Sequence, residues 1–78
     1  MISNKDVSVQ YNTFSTNIKK YRKINNLTQE QLAELADISI SYIKQIESGN
    51  EYKNVSLTVI LKLCKALNVS PNVLFYKK

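Results

Sequence analysis

The sequence predicts an all-α fold of five helices within a single small domain. The chain has 78 residues, of which 44% are hydrophobic and 22% charged, with one glycine and one proline. This size and composition are typical of one compact domain and exclude a disordered or low-complexity chain. Apolar residues recur at intervals of three and four along five segments, which is the spacing of one helix face. No segment is convincing as part of a sheet.

The first twelve residues lack this helical spacing. Val7, Val9 and Tyr11 alternate with polar residues, which is compatible with a short strand, an arm or the frayed approach to a helix. We interpret residues 1–12 as an N-terminal arm and residues 13–78 as the folded domain.

The first predicted helix begins at Thr13, after which Phe14, Ile18 and Tyr21 recur at helical spacing. We expect it to end at Asn26, because asparagine tolerates the left-handed backbone conformation that terminates many helices.

The second predicted helix starts at a capping box formed by Thr28 and Gln31. Its apolar stripe consists of Leu32, Leu35 and Ala36. Residues 37–39 interrupt it after about two turns.

The third predicted helix runs from Ile40 to Ser48. Ser39 caps its start and Gly49 follows its end. Ile43 and Ile46 are its inward residues.

The fourth helix has the clearest apolar stripe, since five residues fall at steps of three and four: Leu57, Ile60, Leu61, Cys64 and Leu67. Ser56 caps this helix and Asn68 ends it. Ser70 and Pro71 then open a short fifth helix through Phe75, because the missing amide of proline costs nothing at the first helical position.

The composition excludes several classes of chemistry. Cys64 is the only cysteine and there is no histidine, which rules out an intramolecular disulfide, a thiolate metal cluster and most catalytic triads. We therefore expect no metal, no cofactor and no enzymatic activity. No apolar run approaches the roughly 20 residues of a membrane span, and the N-terminus lacks a signal-peptide core, which favours the cytoplasm.

The charge of the chain favours a polyanionic partner. Eleven Lys and Arg residues against six Asp and Glu give a net charge of +5 and a pI near 9.4, and the densest basic cluster lies at residues 19–23. Such a surface can contact phosphates. A basic surface that is merely solvated is also compatible with these numbers.

Two short helices joined by a tight turn form the unit that places its second helix in the major groove of DNA. This unit needs a small residue where the helices cross, a turn residue that tolerates positive φ, and a branched apolar residue that faces the core. Ala33 and Ile43 supply the first and the last of these in register. The third helix would then be the recognition helix.

Three stretches resemble the Cro and cI repressor type of helix-turn-helix, the Xre-like DNA-binding domains. They are residues 27–33, 41–49 and 63–71, which read LTQEQLA, SYIKQIESG and LCKALNVSP, and the resemblance spans about residues 14–75. It implies a five-helix bundle of the lambda-repressor type, sequence-specific binding to double-stranded DNA as a homodimer, and transcription regulation as a repressor or an activator. A bacterial cell, a phage or a mobile element would encode such a protein.

Two features depart from the pattern of this family. Asp37 stands at a turn position where the family usually has glycine, so we expect it in the left-handed region that aspartate tolerates better than most residues. The loop after Gly49 is longer than is common in the family.

Five residues on the outward face of the recognition helix are predicted to contact base edges: Ser39, Ile40, Ser41, Lys44 and Gln45. Gln45 can form two hydrogen bonds with adenine, and Lys44 can donate to guanine or to a phosphate. Ile40 offers an apolar contact such as a thymine methyl group. A dimer contact that covers Ile40 is the alternative.

Six residues are candidates for contact with DNA phosphates: Arg22, Thr28, Gln29, Tyr42, Asn50 and Lys53. Gln29 matches a phosphate-contacting position of the family, at a helix N-terminus that itself attracts anions. The resemblance also implies an ion pair between Arg22 and Glu47 that would fix the recognition helix. The alternative for Tyr42 is packing against the rest of the domain. The alternative for Asn50 and Lys53 is that they are ordinary polar residues of a surface loop.

The C-terminal run has more apolar surface than a short helix can bury, which predicts a dimer interface at Val73, Leu74, Phe75 and Tyr76. Val59 and Leu63 are candidates to join it, and the alternative is packing beneath the fifth helix. Two copies would place their recognition helices about 34 Å apart, over an inverted repeat.

Two functions from different classes fit these residues. The first is a small transcription regulator, such as a phage repressor or the controller of a restriction-modification system. The second is an antitoxin-like interaction module that binds a partner protein and contacts DNA secondarily.

Overall fold

The computed structural model describes residues 2–49 and 55–77 of the chain. Within these residues it contains five helices and no strand, as the sequence predicts: α1 (Asn4–Ile24), α2 (Gln29–Ala36), α3 (Ile40–Ser48), α4 (Leu57–Leu67) and α5 (Pro71–Leu74). In this described part of the chain, no helix is long and apolar enough to cross a membrane.

The first helix, α1, begins at Asn4 rather than at Thr13, so residues 4–12 are helical and do not form the predicted arm. A capping box starts the helix. The Asp6 amide donates to the Ser3 hydroxyl over 3.2 Å, and the Ser3 amide donates to the Asp6 carboxylate over 2.9 Å. The latter bond stabilises the ionised carboxylate and lowers the pKa of Asp6.

The apolar face of α1 also continues into this extension. Val7 is half-buried and Tyr11 is buried, and they share a face with Phe14 and Ile18 at steps of four, three and four. Val9, whose position suggested alternation, is 47% exposed. The helical period was therefore present in the sequence but was masked by one exposed apolar residue.

The predicted caps of α2, α3 and α4 are confirmed. The Gln31 amide donates to the Thr28 hydroxyl over 3.0 Å, and the Thr28 amide donates to the Gln31 side chain over 2.9 Å. The hydroxyls of Ser39 and Ser56 accept from the backbone amide three residues later, over 3.1 and 3.2 Å. These bonds satisfy amides that have no partner within the helix itself.

The predicted ends are also confirmed. Asn26, Asp37 and Asn68 follow α1, α2 and α4 with φ values of 57°, 56° and 57°. Gly49 follows α3 in the same left-handed region, at φ 62°.

The core is formed by residues from all five helices. Its fully buried large side chains are apolar and come from every helix: Phe14, Ile18, Leu32, Ile43, Ile46, Leu63, Leu67 and Leu74. Helix α1 packs against α3, α4 and α5, and α2 packs against α3 and α4. The α2–α3 pair is therefore supported from behind by α1 and α4.

Two of the predicted apolar stripes differ from the buried faces. Leu35 in α2 is 61% exposed, and Leu57 and Leu61 in α4 are 69% and 49% exposed, whereas Leu63 is completely buried. The α4 sequence contains two overlapping sets of apolar residues at helical spacing. The contacts of α4 with α1, α2 and α5 bury the set that includes Leu63. Spacing within α4 alone cannot show which set is buried.

Candidate nucleic-acid interface

Helices α2 and α3 are joined by a turn of three residues that begins at Asp37. Asp37 is left-handed, with φ 56° and ψ 50°, and the next amide, of Ile38, donates to the Ala33 carbonyl over 2.9 Å. Ala33 and Ala36 are buried, so small side chains line the α2 side of this packing. The expected turn conformation is confirmed.

The face of α3 that points inward is the predicted one. Ile43 and Ile46 are completely buried, and α3 has the predicted bounds. The two isoleucines therefore fix which face of α3 points inward.

The outward face of α3 carries the residues predicted to contact bases. Ser39, Ser41, Lys44 and Gln45 are exposed. Ile40 is half-buried and packs in part against the core, so the expectation of a solvent-facing isoleucine is only partly met. The Ser39 hydroxyl caps α3 as an acceptor, which leaves its O–H hydrogen free to donate.

The C-terminal end of α3 is held by a buried charge network. Arg22 of α1 donates to both carboxylate oxygens of Glu47, over 2.7 Å from Nε and 3.0 Å from Nη2. Gln29 of α2 donates to the same carboxylate over 3.2 Å. Three helices therefore meet at one carboxylate, and this bidentate geometry fixes the position of α3 relative to α1 and α2.

The predicted ion pair is thus confirmed, but it is not a surface pair. The side chains of Arg22 and Glu47 are 11% and 3% exposed. The third guanidinium nitrogen of Arg22, Nη1, donates to the Leu27 carbonyl over 2.8 Å. Each of the three nitrogens donates inside the protein, so Arg22 positions α3 through Glu47. Its contact with a phosphate stays a prediction.

The other phosphate candidates lie in different environments. Thr28 is exposed at the start of α2, Gln29 is half-buried beside Glu47, and Tyr42 is half-buried against the core. The predictions for Asn50 and Lys53 lie outside the described residues. Thr28 and Gln29 lie at the start of α2, and the base-contact candidates lie at the start and on the outward face of α3. These are the two parts that a helix-turn-helix presents to DNA.

Sequence reasoning missed a second anchor of the recognition helix. Ser15 of α1 is 2% exposed, and its hydroxyl donates to the Ile46 carbonyl. The last carbonyls of a helix have no intrahelical partner, so Ser15 satisfies the end of α3. A β-carbon at Gly49 would lie 3.2 Å from this hydroxyl. The available signal was a polar residue between Phe14 and Ile18 on the core side of α1.

The acidic residues and the cysteine are the remaining candidates for a chemical site. Among residues 2–49 and 55–77, no group of three or more Cys, Asp and Glu could hold a metal ion. Cys64 is 5% exposed in the core, and burial raises the pKa of its thiol, which disfavours the reactive thiolate.

Comparison with protein families matches residues 18–74 to the family described as helix-turn-helix. The chain belongs to the helix-turn-helix family of the Cro/cI, or Xre, type. This is a family of DNA-binding regulators, and the resemblance inferred from residues 27–33, 41–49 and 63–71 is confirmed.

Two curated relatives of this helix-turn-helix protein are control proteins. The chain is 46% identical over 54 residues to control protein C.SmaI of Serratia marcescens, which covers 69% of this chain and 62% of that protein. It is 47% identical over 47 residues to control protein C.BamHI of Bacillus amyloliquefaciens, covering 60% of this chain and 56% of the relative. The matches thus span less than two thirds of either relative.

Solved structures show the same helix-turn-helix fold. The restriction-modification controller protein C.AhdI from Aeromonas hydrophila superimposes with a TM-score of 0.77 and 37% identity, covering 86% of this chain and 98% of that one. The clp gene regulator ClgR from C. glutamicum gives a TM-score of 0.73 at 25% identity, covering 83% and 82%.

Proposed function

We propose that this protein is a control protein of a restriction-modification system, which binds an inverted-repeat operator as a homodimer through α3. The observation that carries the DNA-binding geometry is the exposed polar face of α3, held in place at Ile43, Ile46 and Glu47. The similarity to C.SmaI, C.BamHI and C.AhdI supports the control of restriction-modification genes. These similarities favour a transcription regulator over the antitoxin-like alternative.

The length of α3 supports binding by two copies. Its nine residues extend over about 13 Å at 1.5 Å per residue, which corresponds to about four base pairs at 3.4 Å each. So short a site recurs too often in a genome to define one operator. Two copies related by a twofold axis would read two such half-sites about one helical turn apart.

The exposed residues of α3 have distinct proposed roles. Gln45 forms paired hydrogen bonds with adenine, and Lys44 donates to guanine or to a phosphate. Ser39 and Ser41 donate from their hydroxyls, and the exposed part of Ile40 contacts a thymine methyl group. Phosphate contacts come from Thr28, Gln29 and Tyr42, with Asn50 and Lys53 as further candidates.

The proposed dimer surface differs in part from the predicted one. Leu63 and Leu74 are completely buried within the single chain, so these two residues present no surface to a second copy. Val73 is half-buried. Phe75 and Tyr76 are 39% and 68% exposed. These two aromatic residues, together with the exposed leucines 57 and 61 of α4, are the apolar groups that a second copy would cover.

Selection of bound duplexes from a random pool tests this function. We expect an inverted repeat, bound by two copies in sedimentation, with affinity that falls steeply as salt rises. Gln45→Ala should lower discrimination at one base pair in each half-site by about 1–3 kcal/mol while binding to unrelated DNA is retained.

Gln10→Ala is the matched control, because Gln10 is exposed on the N-terminal part of α1 and should leave the base preference unchanged. An enriched pool without a repeated half-site would contradict the dimeric mode. A uniform loss of affinity for all duplexes with Gln45→Ala would contradict the base contact.

A further inference from the structure

Besides Ser15 and Arg22, α1 has a third buried polar residue, Asn17, directed toward the C-terminal segment (residues 73–77). Asn17 is 9% exposed. Its Nδ2 lies 2.9 Å from the Leu74 carbonyl, 3.0 Å from the Tyr76 carbonyl and 3.3 Å from the Val73 carbonyl. An amide nitrogen has two hydrogens, so the bonds to Leu74 and Tyr76 are the principal ones and Val73 shares a hydrogen.

The Leu74 and Tyr76 carbonyls need a donor from elsewhere in the chain, whereas the Val73 carbonyl also accepts from the Tyr76 amide over 3.4 Å. Helix α5 has four residues, and Ser70 makes no side-chain capping bond at its start. The last carbonyls of a helix lack intrahelical partners, and an isolated helix of this length is unstable in water. Contacts with the rest of the chain must therefore define the conformation of residues 73–77.

Two apolar contacts and the Asn17 side-chain amide fix the conformation of residues 73–77. Leu74 is completely buried, and the Phe75 ring stacks on Phe14 with centroids 5.3 Å apart. Beyond Phe75, the Asn17 bond to the Tyr76 carbonyl fixes the backbone next to a side chain that is 68% exposed. Asn17 thus holds the segment at the point where buried apolar contacts end and exposed aromatic surface begins.

We propose that Asn17 is a positioning residue for self-association: it preorganises residues 73–77 so that Phe75 and Tyr76 face a second copy of this chain. The inference rests on the proposed homodimer. Ordering a segment only at the moment of association lowers affinity, so loss of the Asn17 donor weakens the dimer although Asn17 itself need not touch the partner.

Sedimentation equilibrium of Asn17→Leu tests this role, because leucine has the same branched shape and the same number of side-chain heavy atoms but no donor. We expect the dimer dissociation constant to rise about tenfold or more. The matched control is Ser15→Ala, which removes a buried donor to a backbone carbonyl from the α3 side of the same helix. Both variants lower the melting temperature, but the control should keep the wild-type dissociation constant.

DNA binding provides a second readout. A merely structural role of Asn17 would change affinity for one half-site and for the inverted repeat alike, whereas a positioning role changes only the latter. Asn17→Leu should bind a duplex with one half-site as the wild type does, and should lose affinity only for the inverted repeat. Asn17→Ala, which also lacks the donor and adds no apolar bulk, should behave in the same way, and it replaces the leucine variant if that one does not fold.

The outcomes distinguish the inference from the proposed function. A wild-type protein that stays monomeric at all concentrations and on operator DNA overturns the homodimer. A dimeric wild type whose dissociation constant changes less than about twofold in the Asn17 variants, or as much in Ser15→Ala as in Asn17→Leu, overturns the positioning role alone.

Discussion

The two ends of the recognition helix are held in place in different ways. At the start of α3, the left-handed Asp37 and the Ser39 cap act through bonds within a few residues of each other. At the end of α3, Glu47 and the Ile46 carbonyl bind Arg22 and Ser15 of α1. Local bonds thus set the direction in which α3 leaves the turn, and long-range polar contacts set where its far end lies.

The difference teaches which changes the interface can tolerate. Asp37 at the turn is exposed to water, so its replacement alters mainly the backbone preference. A residue at the far end is buried, so its removal leaves a polar partner without a bond inside the protein, which is far more costly. Three substitutions test this contrast, and the first should have the largest effect.

Glu47→Ala should lower the free energy of unfolding by about 3–5 kcal/mol, because it leaves the buried Arg22 guanidinium without its carboxylate. Urea denaturation measures this loss, and affinity for operator DNA should fall as α3 loses its anchor. The double variant Arg22→Met/Glu47→Leu removes both charges and should recover much of the stability. A loss below about 1 kcal/mol, typical of an exposed pair, would show that the network does not hold α3.

Ser15→Ala should lower the free energy of unfolding by about 1–3 kcal/mol, because the Ile46 carbonyl loses its buried donor. Thr16→Ala, at the exposed neighbouring position of α1, is the control and should change stability by less than about 0.5 kcal/mol. Equal effects in the two variants would mean that water replaces the serine hydroxyl at the end of α3.

Asp37→Gly should raise the free energy of unfolding by about 0.5–1 kcal/mol, because glycine adopts φ 56° without the steric cost of a side chain. The pair lost with it is weak: Lys62 Nζ lies 3.7 Å from an Asp37 carboxylate whose side chain is 96% exposed. Thermal unfolding measures the change, and operator affinity should stay as it was. A lower melting temperature would indicate that the side chain of Asp37 stabilises the turn.

Sequence reasoning succeeded where structure depends on neighbouring residues. The bounds of α3 follow from the Ser39 cap, the Gly49 end and the two inward isoleucines, all within eleven residues. The family resemblance supplied the one long-range contact that was foreseen, between Arg22 and Glu47. Periodicity also identified most of the core, because the apolar faces of short helices are narrow.

Sequence reasoning failed where the burial or the partner of a residue depends on elements distant in the chain. Two apolar sets compete in α4, and only contacts with other helices decide that Leu63 is buried and Leu57 is not. Ser15 and Asn17 are ordinary surface residues by composition, and their roles come from carbonyls 31 and 57 residues away. At the N-terminus, one exposed valine was enough to conceal two turns of helix.

The single buried thiol has a practical consequence. Cys64 lies in the core face of α4 with a raised pKa, so a thiol-specific reagent reaches it only when α4 separates from its neighbours. With one cysteine in the chain, each labelled molecule records one opening event. The labelling rate of the unmodified protein therefore reports the rate at which its core opens. Comparing this rate with and without operator DNA would measure how far DNA binding slows that opening.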